Sequence, residues 1–293
     1  MSTFLQVTAN GLLEGGLFAL IAVGFSLVWG VMNIVNLAHG AFVVLGAYVA
    51  YELRTGPGLN PYLGMVVAAL TLFAGGYLVQ RLLINLVVNA PIWMTLLLTF
   101  GLSLILVQGM VIVFSGDFRA IANGISGSLA LGSVRLPWDR VVAFGVSVAI
   151  TLGLVAFMDR TKLGLAIRST GMDRGAARLM GIRVRHVYAV TFGLAAALAG
   201  AAGAMVGTIT TFSPASAGTF TLQSFVIAVL GGLGNMWGAL AGGIVLGLAE
   251  AWGGQYLSGT LVDAIAFGVL VAVLIVRPSG LLGKPYYEAR LET

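Results

Sequence analysis

The chain has 293 residues, of which 59% are hydrophobic and 9% are charged, and its mean hydropathy is +1.03. Charged residues make up about 25% of a typical soluble domain, so this composition excludes a soluble globular fold. The absence of cysteine excludes disulfides, a thiol nucleophile and a thiolate metal site. The net charge of +5 comes from basic residues beside apolar runs, a pattern typical of cytoplasmic loops and not of nucleic-acid binding.

Runs of about 20 apolar residues recur along the chain, and each is long enough to cross a hydrocarbon core of roughly 30 Å as a helix. A transmembrane barrel would need alternating segments of about ten residues instead. We therefore predict one all-α polytopic membrane domain over residues 1–293, with about nine spanning or partly re-entrant helices. The predicted spans are 11–32, 37–53, 61–84, 91–114, 140–158, 187–209, 220–233, 237–256 and 259–276.

The distribution of basic residues predicts the orientation of these spans. Seven of the 15 Lys and Arg residues lie in one segment between spans: Arg160, Lys162, Arg168, Arg174, Arg178, Arg183 and Arg185. Such clusters stay on the cytoplasmic side. Counting spans from there places the N-terminus outside and the tail, with Arg277, Lys284 and Arg290, inside. Arg119 and Arg135 would then face outward, which runs against the enrichment of basic residues on the cytoplasmic side.

A polar cluster interrupts the apolar sequence between the first two predicted spans. Residues 11–53 would form a continuous helix of about 65 Å, so two crossings leave room only for a very tight reversal. We place the reversal between Asn33 and Gly40, where Gly40 can adopt positive φ. Asn33, Asn36 and His39 have two candidate roles, fastening the turn or lining a transport pathway. We favour fastening, with His39 as the better pathway candidate.

The basic segment, about residues 159–186, contains a short predicted helix. Asp173 is a suitable N-cap, and Gly181 is a suitable C-terminal stop. Leu179 and Met180 are then apolar residues exposed on a loop. Two interpretations remain open: a basic helix that lies on anionic membrane lipid, or an apolar knob that docks into a partner's groove.

Several chemistries are excluded by missing motifs. The sequence has no Gly-x-x-x-x-Gly-Lys-Ser/Thr loop, no Gly-x-Ser-x-Gly and no His-Glu-x-x-His, so we predict neither nucleotide hydrolysis nor intramembrane proteolysis by this chain. Gln223 and Glu250 lie inside predicted spans, where polar groups usually face a cavity or a partner. Asn235 lies among six glycines in residues 229–243, and we favour a packing hairpin there over substrate contact.

Four stretches of the sequence resemble the branched-chain amino acid importer permeases of the LivH/LivM type. They are "ALIAVGFSLVWGVMNIVNLAHGAFVVLGAY", "TKLGLAIRSTGMDRGAARLMGIRV", "VLGGLGNMWGALAGGIVLGLAE" and "RPSGLLG". The piece "NLAHG" is more similar to the LivH half of that pair. Within the second stretch, "GAARLMG" resembles the Glu-Ala-Ala-x-x-x-Gly coupling motif of ATP-binding-cassette importers, with Gly175 in place of the acidic residue.

The resemblance implies one subunit of a larger importer in the bacterial or archaeal cytoplasmic membrane. A second, usually non-identical permease subunit, two cytoplasmic ATPase subunits and a periplasmic or extracellular substrate-binding protein would complete it. ATP and Mg²⁺ would bind the ATPase subunits, and this chain would hold no cofactor. The residues implied for ATPase coupling are Gly164, Arg168, Asp173, Ala176, Ala177, Leu179 and Gly181; the pathway candidates are Asn33, Asn36, His39, Gln223, Asn235 and Glu250.

The implied mechanism is alternating access. A stand-alone secondary transporter or channel is the alternative, and it would need an internal ion-coupling site with paired intramembrane charges. Permeases of this type handle leucine, isoleucine and valine, but also urea, short amides and other small acids, and the sequence does not separate these substrates.

Overall fold

The structure, a computed structural model, describes residues 2–88, 90–122, 125, 127–132, 134–257 and 262–283. Within these residues the chain forms helices and one β-hairpin. In order, they are α1 Ser2–Met32, α2 His39–Thr55, α3 Pro61–Val79, a π-helix Gln80–Ile84, α4 Asn85–Val87, α5 Ile92–Phe114, β1 Ser128–Leu131, β2 Val134–Pro137, α6 Trp138–Arg160, α7 Lys162–Met172, α8 Arg174–Leu179, α9 Val184–Ile209, α10 Ser216–Gly231, α11 Met236–Tyr256 and α12 Val262–Val276.

The centre of the bundle is the pair α1 and α9. In their most apolar stretches, 83% and 89% of the residues are buried, against 22% for α3 and its continuation and 11% for α5. The two central helices are antiparallel, because Leu17 packs beside Met205 while Gly24 packs against Ala195. The outer helices therefore provide the surface that faces lipid or another subunit.

The packing around this pair is nearly symmetric under exchange of α1, α2 and α3 with α9, α10 and α11. Helix α3 packs on α9 as α11 packs on α1, and α2 crosses α9 as α10 crosses α1. In each half, a long central helix is followed by a short non-helical stretch and then by a shorter helix. Because α1 and α9 are antiparallel, the two halves have inverted directions.

Small residues allow α1 and α11 to pack backbone against backbone. A Cβ added at Gly247 would lie 2.5 Å from the backbone nitrogen of Gly15, and one added at Gly243 would lie 2.5 Å from that of Ala19. Without a hydrophobic driving force between helices in lipid, such close packing is a main source of stability. The high glycine content of the chain thus has a structural cause at this seam.

The predicted spans all coincide with helices, apart from residues 259–261, which lie outside the described part of the chain. Six of the described helices are long and apolar enough to cross a membrane, and α10 is a shorter apolar helix, so the count of nine crossings stays a prediction. The first helix begins at Ser2 and not near residue 11, because its polar first turns continue the helix without lengthening the apolar run.

Two elements are not predicted from the sequence, the helix α7 and the antiparallel hairpin of β1 and β2. They lie at opposite ends of the bundle, and we call these the basic end, which carries α7 and α8, and the hairpin end. Two arginines of the hairpin end are paired with acids. Arg119 lies 3.3 Å from Glu52, and Arg140 lies 2.6 Å from Glu14.

Candidate functional site

The chain leaves the helical conformation between α1 and α2, where the sequence predicts a reversal. Helix α1 ends at Met32, and Asn33 has φ +53°, the left-handed conformation that often terminates helices. Helix α2 begins at His39. The side chain of His39 lies 2.8 Å from the carbonyl oxygen of Ile21, 11 residues before the end of α1. The His39 side chain therefore meets α1 about 16 Å from the end of that helix, so α2 begins inside the bundle and not at its surface.

A helix that begins inside a bundle must satisfy its first backbone N–H groups without water. Here other parts of the chain supply the acceptors. The Thr99 hydroxyl of α5 accepts from the Leu37 N–H at 3.2 Å, and the Thr221 hydroxyl of α10 accepts from the Gly40 N–H at 3.0 Å. The Asn36 side chain accepts from the Ala38 N–H at 3.1 Å. These contacts fasten the broken segment, residues 33–38, to two other helices.

The structure corrects one detail of the predicted turn. Gly40 does not adopt positive φ; it lies in the first turn of α2, and the positive φ belongs to Asn33. Gly40 is required for another reason, because a Cβ there would clash with the Ala217 carbonyl oxygen and lie 2.6 Å from the Thr221 nitrogen. Its missing side chain is what lets α10 reach the broken segment.

Of the three polar residues in the turn, Asn36 and His39 are nearly inaccessible to solvent, with 2% and 1% exposure. His39 also contacts the Phe25 ring edge-on, with 5.7 Å between ring centroids. This geometry agrees with a role in holding the turn in place, since the side chains of Asn36 and His39 both bond to backbone groups. A pathway role for His39 stays a prediction.

At the basic end, α7 and α8 are capped by their own sequence. Thr161 accepts from the Gly164 N–H at 2.9 Å, and Asp173 accepts from the N–H groups of Gly175 and Ala176 at 2.6 and 3.0 Å. Gly181 follows α8 with φ +81°. The predicted helix thus has its predicted cap and stop.

The remaining coupling candidates differ in where their side chains lie. Ala177 is buried against the core, while Leu179 is 90% exposed. Gly164 packs so tightly on the end of α6 that a Cβ would lie 2.5 Å from Met158 backbone atoms. Arg168 pairs with Asp159 at 2.8 Å, at the surface. The segment is therefore anchored on one face and presents apolar side chains on the other.

Arg174 connects this segment to the broken segment, a contact that sequence reasoning missed. Its guanidinium donates to the carbonyl oxygen of Met32, the last residue of α1, at 3.1 Å. It also lies over the Tyr188 ring, 5.8 Å from the centroid. A displacement of α8 would therefore act directly on the end of α1.

The structure does not bring the six pathway candidates into one cavity. Asn33 and Asn235 border a cavity of about 580 Å³ at the basic end. Gln223 borders another, of about 240 Å³, together with Glu14, and within the described residues its side-chain oxygen has no hydrogen-bond partner. Glu250 lies on α11 and is 8% exposed.

Asn235 also has a structural task. Its side chain accepts from the Gly238 N–H at 3.1 Å as the N-cap of α11 and donates to the Leu282 carbonyl oxygen at 2.6 Å. The hairpin between α10 and α11 turns through Gly232 and Gly234, both at positive φ. This agrees with the packing hairpin that we favour from the sequence.

Thr99 and Thr221 are the other residues that the sequence did not reveal, since a threonine inside an apolar run carries no pattern of its own. The helix α7 had a signal, because Thr161 is a good N-cap and Leu163 and Ile167 follow at helical spacing. Among the described residues, no group of three His, Asp or Glu could hold a metal ion.

The architecture defines a polytopic helical membrane protein, with a broken segment between α1 and α2 and a capped segment at the basic end. A family model for "Branched-chain amino acid transport system / permease component" matches residues 7–274, and the chain belongs to this family. The match covers both the broken segment and the basic segment.

Individual relatives agree with the family assignment. The chain is 31% identical to the high-affinity branched-chain amino acid transport system permease protein BraD of Pseudomonas aeruginosa, and 32% identical to the protein LivH of Salmonella typhimurium, over 97% of each chain. It is 24% identical to LivM of Escherichia coli, over 94% of this chain and 70% of that one. Higher identity to the LivH proteins agrees with the resemblance of "NLAHG" to that half.

The fold is also similar to a solved structure, PsaBC from Streptococcus pneumoniae in complex with Fab. The TM-score is 0.51 with 12% sequence identity, and the match covers 99% of this chain and 95% of that one. At this identity the likeness concerns the fold alone.

Proposed function

We propose that this chain is the membrane-spanning permease subunit of an ATP-driven importer and that it works by alternating access. A second permease subunit of the LivM type, two cytoplasmic ATPase subunits and an external substrate-binding protein would complete the importer. ATP and Mg²⁺ would bind the ATPase subunits. The family match and the LivH and LivM relatives support this assembly.

The observation that carries the coupling part of the proposal is the anchored, half-exposed segment of α7 and α8. Met172, Leu179 and Met180 are 84%, 90% and 83% exposed, while Ala177 is buried beneath them. Flexible apolar side chains on a rigid base suit insertion into a partner's groove. The bond from Arg174 to Met32 then gives a route by which movement of an ATPase would reach α1 and the broken segment.

We propose branched-chain amino acids as the substrates, because the family description and the relatives name them. Urea, short amides and other small acids are the alternatives. Because the binding protein delivers the substrate, uptake with the cognate binding protein and each solute in turn separates them. Leucine uptake that competes with isoleucine and valine, but not with urea or acetamide, is the expected result.

Reconstitution tests the proposed dependence on ATP. Vesicles would hold this chain with its permease partner, the ATPases and trapped ATP, and uptake of labelled leucine would follow addition of the binding protein. We expect uptake only with ATP and both ATPases. Uptake that persists without the ATPases, driven by a proton or sodium gradient, would show a secondary transporter instead.

The broken segment is the one feature that favours a secondary transporter. Secondary transporters also place broken helices inside the membrane, where freed backbone groups bind ions. In this chain, however, carbonyl oxygens at the break already accept hydrogen bonds: that of Val35 from the Thr99 hydroxyl at 3.1 Å and that of Leu37 from the Thr221 hydroxyl at 3.3 Å. The break contains no charged residue, so it offers no pair of charges for ion coupling.

The proposed orientation places the basic end in the cytoplasm and the N-terminus outside. Pairing with acids accounts for two of the positive charges at the hairpin end, those of Arg119 and Arg140. Because the chain has no cysteine, Lys162→Cys and Thr55→Cys can be probed singly with a membrane-impermeant thiol reagent on intact cells. Labelling of Thr55→Cys but not of Lys162→Cys is expected. The reverse labelling pattern would show that the chain has the opposite orientation in the membrane. The tail residues Lys284 and Arg290 lie outside the described part of the chain.

A further inference from the structure

A second cavity at the basic end collects positive charge at the outer surface of the bundle. Its volume is about 550 Å³, and it lies between the end of α3 and the start of α9. No Asp or Glu is among the described residues that border it. Its polar lining comprises Tyr77, Arg81, Asn85, Arg183, Arg185 and His186.

Side-chain contacts hold part of this lining in place. Arg81 donates to the Tyr77 hydroxyl at 3.3 Å, and that hydroxyl lies 3.2 Å from Nδ1 of His186. Arg81 belongs to the π-helix Gln80–Ile84, an irregularity that is often found at functional sites. The first turn of α9, a helix of 26 residues, also borders the cavity, and its dipole favours an anion there.

The flank of the cavity is apolar. Leu78, Leu82 and Leu86 are 52%, 62% and 80% exposed, and Leu86 borders the cavity itself. An anion bound here would thus have cationic groups on one side and a leucine surface on the other. A phospholipid has this combination, with a phosphate next to acyl chains. Basic pockets between membrane helices on the cytoplasmic side bind such headgroups.

We propose that this cavity binds the phosphate headgroup of an anionic phospholipid from the membrane leaflet at the basic end. The acyl chains of the lipid would lie along the three leucines. The two arginines that the test addresses are Arg81 and Arg185, one from each side of the cavity. The site is separate from α8 and from the cavity bordered by Asn33 and Asn235. The proposal therefore rests on the proposed orientation of the chain but not on the coupling to ATPase subunits.

Native mass spectrometry of the purified full chain, titrated with phosphatidylglycerol or phosphatidylcholine, tests the site. We expect tighter binding of phosphatidylglycerol by about tenfold or more. Arg81→Gln and Arg185→Gln should each weaken that binding by about fivefold while leaving phosphatidylcholine binding unchanged. Arg160→Gln is the matched control, because it removes the same charge from an exposed position at the same end, outside the cavity. It should have little effect.

Three outcomes would overturn the proposal. They are equal binding of the two lipids, equal loss in Arg160→Gln and the cavity variants, and displacement of phosphatidylglycerol by glycerol 3-phosphate at the same concentration. The last would show a site for free phosphate and not for a lipid. Size-exclusion profiles identify a variant that does not fold, and the other arginine variant then carries the test.

Discussion

The broken segment and the basic segment are both polar interruptions of an apolar chain, yet they are stabilised in opposite ways. At the break, acceptors come from residues 62 and 181 positions away, Thr99 and Thr221. In α7 and α8, the caps Thr161 and Asp173 bond to N–H groups two or three residues further on. The first arrangement exists only when the bundle is assembled, whereas the second is encoded locally.

This difference assigns separate tasks to the two regions. A buried segment held by two other helices cannot move without breaking hydrogen bonds that water does not replace. A locally capped segment keeps its shape while moving as a unit. We therefore expect changes at the break to affect folding, and changes on the exposed face of α8 to affect coupling.

The largest expected effect is that of Gly40→Ala. The new Cβ would meet backbone atoms of α10, which cannot yield without moving the helix. We expect a loss of about 3 kcal/mol or more and little folded protein, measured as monodisperse yield in detergent. Gly218→Ala is the control, because nothing lies within 4 Å of a Cβ there. It should be neutral or slightly stabilising; equal yields for the two variants would disprove the close packing.

A smaller loss is expected for Thr99→Val, which keeps the shape and removes the hydroxyl. The Leu37 N–H is then left without its acceptor inside the protein, at a cost of about 1–3 kcal/mol. Thr191→Val is the matched control, since within the described part of the chain this buried hydroxyl bonds only to the Val187 carbonyl oxygen of its own helix. Thermal unfolding in detergent would show the difference, and equal midpoints would remove Thr99 from the set of fastening residues.

The smallest expected effect is that of Asp173→Ala, which removes the cap of α8. About 1 kcal/mol of local stability should be lost, seen as faster hydrogen exchange in Arg174–Leu179 with an unchanged global unfolding midpoint. Asp173→Ser, which keeps a capping oxygen, should restore slow exchange. A large drop in the global midpoint would mean that the segment is part of the core and not a locally stable unit.

The features of this structure that the sequence predicts are those stabilised by neighbouring residues, and the features that it does not predict depend on distant ones. Asp173 and Gly181 were identified because capping and stop signals act on neighbouring residues. The position of the break is predicted from helix length together with the polar cluster between Asn33 and Gly40. Thr99, Thr221 and Arg174 could not be identified, because their partners are distant in sequence and each residue type is ordinary where it stands. At Gly40 the sequence predicts a need for backbone freedom, whereas the structure shows that the close approach of α10 is what requires a glycine.

The central claim, that α8 couples ATPase subunits to the permease, is tested most directly by Leu179→Asp in the purified importer. Leu257→Asp is the control, because it places the same charge at another exposed leucine, 70% exposed, at the end of α11. Co-purified ATPase and ATP-dependent leucine uptake per permease would be measured in both variants. The account predicts normal folding of both, with ATPase binding or uptake reduced at least about tenfold only in Leu179→Asp, because a buried unpaired charge costs several kcal/mol. Normal ATPase binding and uptake in Leu179→Asp would contradict the account.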